Sequence, residues 1–158
     1  MTKILVAYFS QTGNTQKMAK AVSEGAEQAG AEVDVLNVQQ IEDLNSLTNY
    51  DGIIMGSPTY YGIMANQVKE FLDKSIKVHG KLEGKVGGAF ASCGIDGGGS
   101  ESTVLSIIQA LLVHGMIVPG FSKIGHYGPV TTGEPDDRAI SECKQLGERV
   151  ANLADKVS

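Results

Sequence analysis

Apolar residues in this chain fall into short unbroken runs, separated by stretches with helical spacing. Lys3-Ile-Leu-Val-Ala-Tyr-Phe9 carries six consecutive apolar residues, with β-branched and aromatic members. That is the signature of a strand buried on both faces. Met18, Ala21, Val22, Gly25, Ala26 and Ala29 then share one helical face, and Gly30 stands where a C′ residue belongs. A second strand is predicted over Glu32–Leu36, a short helix or irregular segment over Ile41–Asn49, and a third buried strand over Asp51–Ser57. Val68, Phe71, Leu72 and Ser75 give another helix face, and Lys85–Ser92 a fourth strand of small residues. The strongest helical signal is Val104, Ile107, Ile108, Leu111 and Leu112, with Ser100 as cap and Gly115 as stop. Met116–Val118 is assigned as the fifth strand. Pro135 then stands in the first turn of a terminal helix buried through Ile140, Cys143, Val150 and Leu153.

Strands alternating with helices predict an α/β fold: three layers, with a doubly wound five-stranded parallel sheet, for which the common strand order 2-1-3-4-5 is expected. No internal repeat, low-complexity tract or linker interrupts the pattern, so residues 1–158 read as one domain. A chain of this length buries roughly 70% of the surface that its unfolded form exposes. In this topology a ligand sits outside the carboxyl ends of strands 1 and 3, where the strand order reverses. The loops after strands 1, 3 and 4 meet there.

The first of these loops is Ser10, Gln11, Thr12, Gly13, Asn14 and Thr15, and it opens a helix. Backbone N–H groups at a helix start have no intrahelical partner, and the helix dipole favours negative charge there. Gly13 permits positive φ, and the hydroxyls of Ser10, Thr12 and Thr15 can donate to a phosphate. The loop contains no Lys or Arg, which suits a terminal phosphate held by neutral donors. The same composition also serves a plain βα turn with a Thr or Asn cap. A dinucleotide fingerprint would need three glycines and a P-loop a Gly-Lys-Ser/Thr run. Gly80-Lys81-Leu82 and Gly84-Lys85-Val86 lack the hydroxyl that would hold Mg²⁺, which argues against nucleoside triphosphate chemistry.

The second loop holds Pro58, Thr59, Tyr60, Tyr61 and Gly62. Its two tyrosines offer flat faces for an aromatic heterocycle, unless one packs on the sheet and the other is merely exposed. The third holds Ser92, Cys93, Gly94, Ile95, Asp96 and Gly97, then Gly98 and Gly99. So many glycines let the backbone lie flat against a ring edge, or simply make a long flexible loop. A phosphate, a polyol-like chain and a planar ring together describe flavin mononucleotide, FMN.

Composition narrows the alternatives. Net charge is −5 and there is no basic run, which argues against nucleic acid. Cys93 and Cys143 are the only cysteines, and no His/Cys cluster has metal-ligand spacing. Two thiols suit a reducing compartment, so a cytoplasmic location is expected. No apolar stretch approaches the ~20 residues of a membrane span. A phosphorelay receiver would need carboxylates after strand 1, where Phe9-Ser10 stands. A low-molecular-weight phosphatase would need Cys and Arg in the first loop, and neither is present. His114 lies one residue before Gly115, at a helix end where a cation suits the dipole. Cys93 reads as a small loop residue rather than a redox thiol.

Ser10-Gln-Thr-Gly-Asn-Thr15 resembles the phosphate loop of flavodoxins. Gly56-Ser-Pro-Thr-Tyr-Tyr-Gly62, Gly97-Gly-Gly-Ser-Glu101 and Leu111-Leu-Val-His-Gly-Met-Ile-Val118 resemble the WrbA-type branch, flavodoxin-like NAD(P)H:quinone oxidoreductases. The resemblance spans nearly the whole chain, although members of that branch are usually longer. It implies FMN with its phosphate on Ser10–Thr15 and its ring between Thr59–Tyr61 and Ser92–Gly97. It also implies two-electron reduction of quinones by NAD(P)H in a ping-pong cycle, often in a tetramer, so a homo-oligomer is expected. The cofactor does the hydride chemistry, so no catalytic side chain is assigned. The alternative is a flavodoxin carrying single electrons between redox partner proteins. The short length suits the carrier. The branch-like segments and mild charge suit the enzyme, because carriers rely on strongly acidic docking faces.

Overall fold

A computed structural model describes all 158 residues. The first apolar run forms β1 (Lys3–Tyr8), followed by α1 (Asn14–Gln28), β2 (Glu32–Asn37) and two 3₁₀ turns over Val38–Gln40 and Leu44–Asn49. Next come β3 (Gly52–Tyr60), β4 (Ile63–Met64), α2 (Asn66–Lys74), a 3₁₀ turn over Ser75–Val78 and β5 (Val86–Cys93). The chain closes with α3 (Ser100–Val113), β6 (Val130–Thr132) and α4 (Asp137–Val157). The parallel strands lie in the order β2-β1-β3-β5-β6, which is the predicted 2-1-3-4-5 winding. The addition is β4, a two-residue antiparallel partner of the end of β3.

Each central strand divides its side chains between two cores with period two. Ile4, Val6, Ile54 and Phe90 face α1 and α4, where they meet Met18, Val22, Leu146 and Val150. Leu5, Ala7, Ile53, Met55, Ala89 and Ala91 face α2 and α3, against Val68, Phe71, Val104, Ile107 and Leu111. No helix is long and apolar enough to cross a membrane. Cys143 is fully buried, and burial with the neighbouring Glu142 carboxylate pushes its thiol up to about 12.

Four boundary expectations are corrected. The fifth strand is not Met116–Val118. Ile117 makes only an isolated bridge with Val86, and the strand position is completed by β6, paired to Ala91–Cys93. The intervening segment is pinned by the Gly125 N–H, which donates to the buried Glu142 carboxylate at 2.8 Å, itself paired with Arg138. The third strand runs past Ser57 to Tyr60, because the hairpin with β4 extends its pairing. Gly99, not Ser100, caps α3, with φ 106°. Asp136 caps α4 by accepting from the Ala139 N–H at 2.8 Å, which leaves Pro135 just outside the helix.

The two predicted helix stops hold. At Gly30 (φ 95°) the Gly30 N–H reaches Glu27 O and the Ala31 N–H reaches Ala26 O. Gly115 (φ 78°) and Met116 repeat the pattern on Leu112 O and Leu111 O. Both ends are Schellman closures, for which a left-handed glycine is suited.

His114 at the end of α3 is not the expected cation. It is 8% exposed, its Nε2 lies 2.7 Å from Ser75 Oγ, and its Nδ1 has no partner. Desolvation, followed by the charge of His79 with its ring 5.8 Å away, holds its pKa below 6.5. A neutral imidazole gains nothing from the helix dipole. It also lies a 14-residue helix, about 20 Å, from the carboxyl end of the sheet. The folded state thus takes up this proton less readily than the unfolded chain. Its contribution to stability is complete above the unfolded pKa of about 6.5 and is lost as pH falls from there toward the lower folded value. Urea midpoints measured between pH 7.5 and 5 should fall with acidity in the native protein. In His114→Gln that fall should flatten; an equal fall in the variant would assign the proton uptake to another group.

Candidate flavin site

At the carboxyl ends of β1, β3, β5 and β6 lies a cleft of about 350 Å³. It is lined by Gln11, Thr12, Asn14, Thr15, Pro58, Thr59, Tyr60, Ser92, Cys93, Gly94 and Gly133. That volume falls in the ~300–1,000 Å³ range of small-molecule sites.

The first wall is the entrance of α1. Gly13 precedes the helix with φ 101°, and a Cβ there would meet nothing within 4 Å. Conformation rather than space therefore calls for glycine. Ser10 Oγ accepts from the Gly13 N–H at 3.1 Å and closes the loop. The first backbone bond into the helix is Lys17 N–H to Gly13 O, at 3.0 Å. The N–H groups of Gln11, Thr12, Asn14, Thr15 and Gln16 consequently find no acceptor within the protein. Open donors at the positive end of a helix form a receptor for an anion. No Lys or Arg lines the cleft. The nearby Lys17 ammonium instead pairs with Glu134 at 2.7 Å and holds that carboxyl below its usual range.

Thr15 and Ser92 are both buried, and their hydroxyls lie 2.8 Å apart. Their bond ties the start of α1 to the end of β5. One hydroxyl proton makes that bond and the other stays free.

The second wall is the outer half of β3. Ser57 Oγ accepts from the Ala65 N–H at 2.9 Å, which braces the hairpin from beneath. Tyr60 donates its phenol proton to Gln11 Oε1 at 2.5 Å, joining the first two walls. Thr59 Oγ1 is buried with no partner. Tyr61 (φ 50°) and Gly62 (φ 82°) make the two-residue turn between Tyr60 and Ile63. Hairpin turns with positive φ at both central residues ordinarily take Asn-Gly, so Tyr61 is an outlier. Such strain costs on the order of 1–3 kcal/mol.

The third wall is the end of β5. Ser92 and Cys93 are buried and Gly94 reaches the cleft, while Ile95, Asp96 and Gly97 are exposed outside it. The loop folds back on itself: a Cβ on Gly98 would lie 2.5 Å from Cys93 Sγ. A Cβ on Gly99 would lie 2.7 Å from Gly62 Cα. Ser102 Oγ donates to Gly62 O at 2.5 Å and lies 2.9 Å from Gly99 O, so the start of α3 anchors the hairpin tip.

The structure therefore sorts the sequence-predicted residues into three groups. Gln11, Thr12, Asn14, Thr15, Pro58, Thr59, Tyr60, Ser92, Cys93 and Gly94 line one cleft. Ser10 and Gly13 shape the loop behind it, while Tyr61, Gly62, Ile95, Asp96 and Gly97 belong to the surrounding hairpin tip and loop. Gly133 lines the cleft unforeseen, its N–H bonded to Cys93 O at 2.8 Å. Its sequence signal was Val130-Thr-Thr-Gly133, a β-branched run ended by glycine.

A flavodoxin-domain family profile matches residues 5–101. An NAD(P)H dehydrogenase (quinone) from Archaeoglobus fulgidus is 38% identical, covering 99% of this chain and 100% of the relative. One of the same name from Sinorhizobium fredii is 43% identical, covering both chains in full. Those alignments run over 190 and 198 positions against 158 residues here, so the relatives carry segments that this chain lacks. Among solved structures, a WrbA-like flavodoxin from Agrobacterium tumefaciens superposes over 100% of both chains with TM-score 0.86 at 29% identity. An archaeal flavodoxin gives TM-score 0.79, also at 29% identity, over 98% of this chain and 99% of its own. The chain belongs to the flavodoxin-domain family, on its WrbA-like branch.

Proposed function

We propose that residues 1–158 form one FMN-binding unit that reduces quinones by two electrons at the expense of NAD(P)H. The observation that carries the reading is the set of open N–H donors at the start of α1, beside a cleft of cofactor size. The full-length likeness to NAD(P)H dehydrogenases (quinone) supports the activity.

The residues present fit FMN. The N–H groups of Thr12, Asn14 and Thr15 would hold its phosphate without a counter-cation, and Thr59 Oγ1 is a buried hydroxyl still lacking a partner. Tyr60, fixed by Gln11, supplies a flat wall, and Gly94 lets the backbone approach a ring edge. When bound, FMN supplies the hydride transfer. No carboxylate, imidazole or cation lines the cleft, so the protein contributes position and oriented dipoles. Tyr61, Ile95, Asp96 and Gly97 stand exposed beside the cleft, where the two loops would flank the flavin ring. The buried free thiols of Cys93 and Cys143 suit a cytoplasmic setting.

Anaerobic titration of the purified holoprotein tests the activity. NADH or NADPH should bleach the flavin absorbance, and benzoquinone should restore it in equimolar amount. A flavin reduced by dithionite but by neither nicotinamide would replace the enzyme with a carrier of single electrons.

A further inference from the structure

A second cavity, of about 490 Å³, lies at the far end of α3 from the flavin cleft. The last turns of α2 and α3 and the 3₁₀ turn over Ser75–Val78 enclose it. Leu72, Ile76 and Val113 give it apolar walls, and Ser75, His79 and His114 supply polar atoms. Apolar walls around a few convergent polar groups are the usual make-up of a small-ligand site.

Hydrogen bonding fixes the tautomer of His114. Ser75 Oγ lies 2.6 Å from Leu72 O and 2.7 Å from His114 Nε2. A carbonyl only accepts, so the single hydroxyl proton of Ser75 goes to Leu72 O. His114 Nε2 then carries the ring proton and donates it to Ser75 Oγ. Nδ1 is left as a bare lone pair on a side chain only 8% exposed, with no partner in the chain. A buried acceptor without a partner is costly and calls for an occupant.

The surroundings suit a metal ion. A histidine ligand ordinarily donates its other N–H to an oxygen that sets tautomer and ring orientation, as His114 does through Ser75 to Leu72. His79 is exposed on the same cavity, its ring centroid 5.8 Å from that of His114 and its plane tilted by 45°. Two imidazoles sharing one metal at ~2.0–2.1 Å have centroids roughly 5–6 Å apart. We propose that His79 and His114 Nδ1 together bind a divalent transition metal of the class that imidazole prefers, with Zn²⁺ as the reference ion. No group of three or more His, Cys, Asp or Glu forms there, so water completes the coordination and the ion is exchangeable. The exposed His79 takes the ion first and passes it to the shielded Nδ1.

Calorimetric titration of the purified full-length protein with ZnCl₂ tests the site, with proton NMR of the imidazole C–H signals alongside. Wild type should bind one equivalent of Zn²⁺, and the signals of His79 and His114 should shift together. His79→Ala and His114→Gln should each weaken binding about tenfold or more, while the exposed His126→Ala keeps full affinity. His79 is exposed, so His79→Ala should melt like wild type in the absence of metal, which separates lost binding from lost folding. No binding by wild type, full affinity in His79→Ala, or signal shifts confined to His126 would overturn the inference.

Discussion

Gly147→Ala should lower the unfolding free energy by at least about 2 kcal/mol, a large loss for the addition of one methyl group. At the crossing of α1 and α4 the helices touch through backbone. A Cβ on Gly147 would lie 1.9 Å from Val22 O and 2.8 Å from Ala26 N. The contact is mutual, since a Cβ on Gly25 would lie 1.9 Å from Lys144 O. Two effects oppose one another. Alanine is the better helix former by about 1 kcal/mol, whereas overpacking costs about 1–3 kcal/mol and sometimes more. Here the obstacle is backbone rather than a flexible side chain, so the helices must part, and the cost wins. Urea denaturation measures it, with exposed Gln145→Ala as the control expected to stay within about 0.5 kcal/mol. An unchanged midpoint for Gly147→Ala would mean that the helices separate freely. Because α1 carries the open N–H groups, flavin affinity should fall alongside stability.

Gly13→Ala should weaken FMN binding at least tenfold while costing less stability than Gly147→Ala. Space is available for the methyl group, and the penalty comes from φ 101°, where an L-residue pays roughly 1–2 kcal/mol. Rotating out of that strain swings the peptide that presents the Asn14 N–H and disturbs the neighbouring donors. A loss of 1.4 kcal/mol is tenfold in affinity. Fluorescence titration with FMN measures it, and retention of full affinity would place the phosphate elsewhere. Thr12→Ala is the milder probe, because Thr12 is exposed and its loss disturbs no internal bond. Thr15→Ala is less clean, because it also removes the partner of the buried Ser92 hydroxyl.

Much of this arrangement was legible before any coordinates. The apolar runs of β1, β3 and β5, the helix stops at Gly30 and Gly115 and the phosphate-loop composition are local signals. Each depends on residues within a turn or two of one another. The hairpin of β3 with β4 escaped notice because its turn residue is a tyrosine where Asn or Gly is the usual mark. The fifth strand was misplaced because Met116–Val118 is the stronger apolar run. Ile117 only bridges the start of β5, and the end of β5 pairs with Val130–Thr132, which brings Gly133 to the cleft.

By itself the sequence determined the alternation of strands and helices, and with it the layer architecture, because period and helix-end chemistry are written in neighbouring residues; the winding order was taken from the common arrangement of five such strands, and strand pairing bears it out. Only the tertiary structure decided the division between cleft and rim. Tyr60 is tied at the cleft by Gln11, and the tip that carries Tyr61 is anchored by Gly99 and Ser102, contacts between residues about 40–50 positions apart. It also decided that Thr15 and Ser92 bond to each other and that His114 is neutral. Those outcomes depend on which distant groups share a desolvated site, and burial of that kind leaves no pattern in the local sequence.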